Sequence, residues 1–173
     1  MQELLSELRA ILSGTPARWS NLSQTIPAEL FYRQPAPQEW SAFECLLHLR
    51  DTEHTFQFRL QAFLDGRDFP AFNPDTEGTK PQADQKPIGL AAEFAELRAK
   101  SLQSLASISP ADFKRPARHP ELGPVTLEQM LNEWAAHDLN HTIQAEEAIM
   151  QPFIPGSGPW QIYFTGHLAG GGK

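Results

Sequence analysis

Two short boxes, Ser41-Ala-Phe-Glu44 and Thr126-Leu-Glu-Gln129, each head a long run in which apolar residues recur every three or four positions. In such a box the hydroxyl accepts the backbone N–H three residues on, and the Glu or Gln side chain reaches back to the cap's own N–H. Two donors orphaned at a helix start are thereby satisfied. The first run closes at Gly66, where a left-handed residue is wanted. Pro152 stops the second, because it has no N–H to donate and its ring crowds the preceding turn.

Two further stretches carry the helical period. Residues 2–12 read as an amphipathic first helix that Gly14 breaks or bends, with Thr15 capping and Pro16 opening a restart to about Gln24. A third helix is expected from about Ile88 to Ser107, with Leu90, Phe94, Leu97, Leu102 and Leu105 as its apolar stripe. Alternating runs rich in Val or Ile are missing, Val125 is the one valine, and no strand is expected. Residues 109–124 read as a loop with a helical turn after Pro110.

The expected fold is therefore all-α, a four-helix bundle. The connection from Gly66 to Pro87, at ~20 residues, is too long for a tight antiparallel turn. It suits a crossover that leaves the second and third helices parallel, giving up-down-down-up. The chain is expected to be one domain over residues 1–173, with the bundle in about 2–150 and an irregular, aromatic C-terminal tail in 151–173.

Composition narrows the function. With 14 Lys+Arg against 21 Asp+Glu the formal net charge is −7, and no basic run occurs, so nucleic acid is not an expected partner. The single cysteine, Cys45, allows no internal disulfide and no cysteine-based zinc site; it reads as a small core residue rather than a nucleophile. The opening "MQELLSELRAILSG" lacks the basic end and apolar run of a signal peptide. No stretch approaches the ~18 apolar residues of a membrane span. A cytoplasmic protein that does not touch a membrane is the expectation.

The fourth helix, "EWAAHDLNHTIQAEEAI", poses the chemical question. At 100° per residue, Leu127, Met130, Leu131, Trp134, Ala145, Ala148 and Ile149 share one face, and His137, Asp138 and His141 fall inside that arc. Glu133, Asn140, Glu146 and Glu147 point elsewhere, toward solvent. Imidazoles four apart lie one turn above each other and can share an ion. On the second helix His48 and His54 diverge by about 120° on the wheel; His48 flanks the apolar side of Cys45, Phe56 and Phe63, while His54 sits on the polar side. Antiparallel packing would bring His48 level with the pair. His119 and His167, in Pro- and Gly-rich segments, read as solvated.

The segments "TPARW", "QPAPQEWSAFECLLHLRDTE" and "NEWAAHDLNHTIQAEEAI" together resemble the DinB-like superfamily of four-helix metalloproteins. The Trp-Ser opening of the second helix, the His-Leu-x-x-x-Glu pattern from His48 to Glu53, and His137-x-x-x-His141 match in order and spacing, over roughly residues 1–150. The resemblance implies a three-histidine site of His48, His137 and His141 for a divalent ion, commonly zinc or nickel, together with the up-down-down-up bundle and a tendency to form a homodimer. Relatives with known activities are transferases and isomerases that use a low-molecular-weight thiol such as bacillithiol, mycothiol or glutathione. His54 and the tail are outside the pattern.

Two functions remain open on the sequence alone. One is a metal-dependent transferase or hydrolase acting on a small-molecule substrate, since three protein ligands leave an open coordination position. Asp51, one turn beyond His48, and Asp138 are the candidate catalytic residues, orienting ligands or relaying a proton; as plain surface or capping acids they would do neither. Trp40 and Trp134 would line a pocket or fill the core. The other function is a non-catalytic, stress-associated metal-binding protein in which the ion pins two helices together. Without a metal, His137 and His141 would be satisfied core histidines.

Overall fold

The computed structural model describes residues 2–82 and 84–170, with Asp75 described by its backbone alone. Among these, four helices have 20 residues or more: α1 (Gln2–Thr25), α3 (Ala42–Asp65), α5 (Pro87–Ala106) and α6 (Leu127–Met150). Short helices α2 (Ala28–Tyr32) and α4 (Pro74–Glu77) interrupt the connections. Both capping boxes form: the Ser41 and Thr126 hydroxyls accept from the N–H groups of Glu44 and Gln129, whose side chains bond back. Gly66 ends α3 with φ 67°, in the left-handed region.

Cross-helix bonds fix the topology. Arg9 reaches the Leu105 carbonyl and Arg98 the Leu12 carbonyl, so α1 and α5 are antiparallel. Arg50 pairs with Glu93 and Gln57 with Leu97, so α3 and α5 are parallel. His48 meets His137 while Phe56 stacks on Trp134, so α3 and α6 are antiparallel. The bundle is up-down-down-up, as expected from the long α3–α5 connection.

The core falls into two apolar regions. One gathers Leu8, Phe63, Phe113 and Leu131; the other gathers Trp19, Phe43, Leu90 and Ala145. On α3, α5 and α6 the residues between them in sequence form a buried polar layer of Glu53, Arg98, Ser101, Asp138 and Thr142. Arg98, 1% exposed, is its centre. Its five N–H donors meet five acceptors: both oxygens of Glu53, both of Asp138, and the Leu12 carbonyl, at 2.6–3.0 Å. Ser101 donates to Glu53 at 2.6 Å. A guanidinium buried this deeply is tolerable because every donor is answered.

Two sequence expectations are corrected. α1 is neither broken nor restarted at Gly14: Thr15 is no cap, its hydroxyl donating back to the Ile11 carbonyl at 3.0 Å, and Pro16 lies inside one helix. Proline at that position removes the N–H that would bond the Leu12 carbonyl. Arg98 supplies the missing donor at 2.9 Å, so the helix continues. The second correction is a hairpin, β1 (Pro116–His119) paired antiparallel with β2 (Gly123–Thr126), inside the segment read as loop. Pro116 and Pro124 mask the strand pattern, and β2 runs directly into the Thr126 cap of α6.

Candidate metal centre

Three imidazoles converge between α3 and α6, level with the polar layer. The ligand-capable nitrogens of His48, His137 and His141 all lie within 4.8 Å of one another. His48 Nε2 and His137 Nε2 are 2.9 Å apart, and both rings sit 4.5 Å from the His141 ring. His137 and His141 are brought together by their four-residue spacing on α6, and His48 by the antiparallel approach of α3.

The His137 and His141 rings are poised as neutral donors. Burial lowers the His137 pKa to about 3, and the neighbouring His141, His48, Arg98 and Arg59 press in the same direction. Burial lowers His141 too, against the opposing influence of Gln144 and Asp138. His141 Nδ1 is bonded to Gln144 Oε1 at 2.9 Å, which places the ring proton on Nδ1 and the lone pair on Nε2. Gln144, three residues on along the same face, carried no sequence signal beyond that spacing.

The residues fit a divalent ion. Tetrahedral zinc with bonds of about 2.05 Å needs ligand nitrogens about 3.3 Å apart, a few tenths of an ångström beyond the His48–His137 separation. Two facing Nε2 atoms at 2.9 Å need either one shared proton or one shared cation. His137 Nδ1 is buried with no hydrogen-bond partner among the described residues, so with Nε2 on the shared ion the ring proton sits there without an acceptor.

The walls are aromatic and asymmetric. Trp40, half-buried just before the Ser41 cap, stacks on His141 with centroids 5.7 Å apart and leans on His48 at 4.9 Å. Phe56 meets the His137 ring edge-on at 5.4 Å. Trp134 is fully buried core. A cavity of about 330 Å³ opens onto all three histidines and is lined also by Thr55, Phe72, Arg59 and Glu133. A larger groove of about 620 Å³ runs along α6 and the tail, but reaches the centre only through Trp40 and His141.

The two candidate aspartates are engaged elsewhere. Asp138 gives both carboxylate oxygens to Arg98. Asp51 accepts the Thr79 N–H at 2.6 Å and the Thr79 hydroxyl at 3.1 Å, which pins the α3–α5 connection beside His48. Glu133, expected on the wheel to face solvent, is exposed and at the same time lines the rim of the histidine cavity, one turn before His137. It keeps exposed surface, yet protein crowds the carboxyl: loss of water pushes its pKa up to about 7, with Arg59 opposing and Asp138 adding. Its spacing, four before His137 and eight before His141, was the signal that could have found it.

The remaining candidates stand apart. Cys45 is fully buried and its thiol is pushed up to about 12, chiefly by burial. His54 is exposed; His119 accepts two backbone N–H groups of its own turn, and His167 bonds Glu147 at 3.0 Å.

With this geometry in view, the comparisons with known proteins are decisive for family. A family model described as the DinB superfamily matches residues 11–145. The chain belongs to the DinB superfamily. Among solved structures it is similar to YfiT from Bacillus subtilis, described as a probable metal-dependent hydrolase with an unusual four-helix bundle topology. That match has a TM-score of 0.76 at 19% identity and covers 86% of this chain and 87% of YfiT. No curated protein matches. Among the described residues no helix is long and apolar enough to cross a membrane.

Proposed function

We propose that this DinB-superfamily chain is a metal-dependent hydrolase of a small molecule, with His48, His137 and His141 holding one divalent ion, zinc or nickel. The observation that carries the reading is that all three imidazoles open onto one cavity of small-molecule size. A purely structural ion would be enclosed by a fourth protein ligand; among the described residues no fourth His, Cys, Asp or Glu joins the cluster. The description of YfiT points the same way. A divalent ion in such a site supplies Lewis acidity and lowers the pKa of a water or thiol that it binds.

The chain's own residues do the rest. Gln144 holds the His141 ring in its tautomer. Trp40 and Phe56 shield the imidazoles from bulk water. Glu133 takes up or gives back a proton at the cavity rim, where its raised pKa suits exchange near neutrality. Asp138 and Asp51 serve as positioning residues, one through Arg98 beneath α6 and the other through Thr79.

A second reading, transfer of a low-molecular-weight thiol to an electrophile, is favoured by one feature: the cavity and the groove meet at Trp40 and His141, giving room for two reactants. Hydrolysis of a panel of small esters, amides and lactones, with and without added thiol, separates the two. Turnover by zinc- or nickel-loaded protein, absent in the stripped protein and in His137→Ala, is expected. A loaded site that turns over none of the panel under either condition would leave the non-catalytic alternative.

A further inference from the structure

Arg59 is the only Lys or Arg lining the histidine cavity among the described residues. Its guanidinium carbon lies over the Phe69 ring, 5.3 Å from the centroid. The Nε is buried without a hydrogen-bond partner among the described residues, and the terminal nitrogens, which are not among the buried unpartnered atoms, keep access to solvent. Arg98 has every donor answered; Arg59 has no hydrogen-bond partner among the described residues. Glu133 faces it across the cavity near enough to be felt, but not close enough to pair.

We propose that Arg59 binds a carboxylate on the substrate, so that the cavity selects small carboxylic acids carrying an apolar or aromatic body. The planar fork matches a carboxylate, and one unshared cation in a chain of net charge −7 suits a monoanion better than a dianion. Phe56 and Phe72 supply the apolar walls between the two ends. Arg59 is eleven residues beyond His48 on α3, about 16 Å along the axis, and an arginine stem leaning toward the helix N-terminus narrows that to roughly 10 Å. An aromatic ring with a short tether spans such a gap. The inference rests on the cavity being the reaction chamber of the proposed enzyme.

The test is binding of 3-(4-fluorophenyl)propionate and its neutral amide, followed by fluorine NMR on zinc-loaded and on metal-stripped protein. The carboxylate should bind in both, weaken roughly tenfold or more in Arg59→Gln and Arg59→Met, and tighten in Glu133→Gln. The amide should respond to none of these changes. Helical circular dichroism identifies a variant that has failed to fold, and Arg59→Lys, which keeps the charge without the fork, should fall between. Carboxylate binding indifferent to Arg59, equal binding of acid and amide, or no binding of either at millimolar concentration would overturn the proposal. Arg59-dependent binding in a protein that takes up no zinc would instead sink the metal reading and leave this one standing. Zinc uptake with Arg59-independent binding would do the reverse, keeping the metal centre and overturning the carboxylate site.

Discussion

Arg98 donates to the Leu12 carbonyl at 2.9 Å, the acceptor that Pro16 leaves without its helical partner. A proline that should break α1 is thus tied to the ion layer of Glu53, Arg98 and Asp138, and that layer lies directly beneath His137. Removing Arg98 strands two buried carboxylates and one carbonyl. Arg98→Leu should therefore cost about 3–5 kcal/mol in urea denaturation. The triple variant Arg98→Leu, Glu53→Leu, Asp138→Leu should recover much of that loss, because no charge is then left unpaired. A mild loss in the single variant would contradict the account of the layer.

Ser41→Ala and Thr126→Ala each remove one capping box, at the starts of the two helices that carry the histidines. Each should lower unfolding stability by about 1 kcal/mol, nearly additively, without changing zinc uptake. Chemical denaturation and metal titration of the single and double variants check both halves.

The pH dependence of stability has a defined sign. The His137 pKa falls from 6.5 to about 3 on folding, because of burial and then its charged and histidine neighbours. Below pH 6.5 the unfolded chain binds this proton and the folded chain does not, so stability is lost as pH falls from about 6.5 toward 3. Glu133 works the other way, its raised pKa removing stability as pH climbs through 4.5 toward 7. The difference between metal-free wild type and His137→Phe isolates the histidine: His137→Phe should lose less stability between pH 7 and 5. Parallel curves would refute the assignment.

Cys45 should not react with iodoacetamide in the folded protein and should react fully in denaturant, since burial both hides the thiol and pushes its pKa up to about 12. Mass spectrometry reads the outcome directly. Rapid native labelling would mean that the thiol is available for chemistry.

What was legible in the sequence is what local rules govern. Ser41, Glu44, Thr126, Gln129 and Gly66 act within a few residues of themselves, and the structure keeps each in that role. The facing of His137 and His141 follows from spacing alone. The missed features depend on distant partners. Pro16 is accommodated inside α1 with Arg98 arriving from α5 to answer the Leu12 carbonyl, and no local pattern ties Arg98 to Glu53 and Asp138. Arg59, eleven residues beyond His48, and Glu133, four before His137, stand near those histidines on their helix faces, but as charged residues they read as surface until the cavity between α3 and α6 is seen. The hairpin owes its pairing to its position against α6 rather than to strand propensity, which Pro116 and Pro124 oppose.

The measurement that bears most directly on the metal centre is elemental mass spectrometry of the untagged protein, beside His48→Ala and His137→Ala variants shown to be folded. About one zinc or nickel ion per chain is expected in the wild type, with loss of the ion in either variant. A folded wild type that carries neither metal and takes up neither when offered would contradict the three-histidine centre.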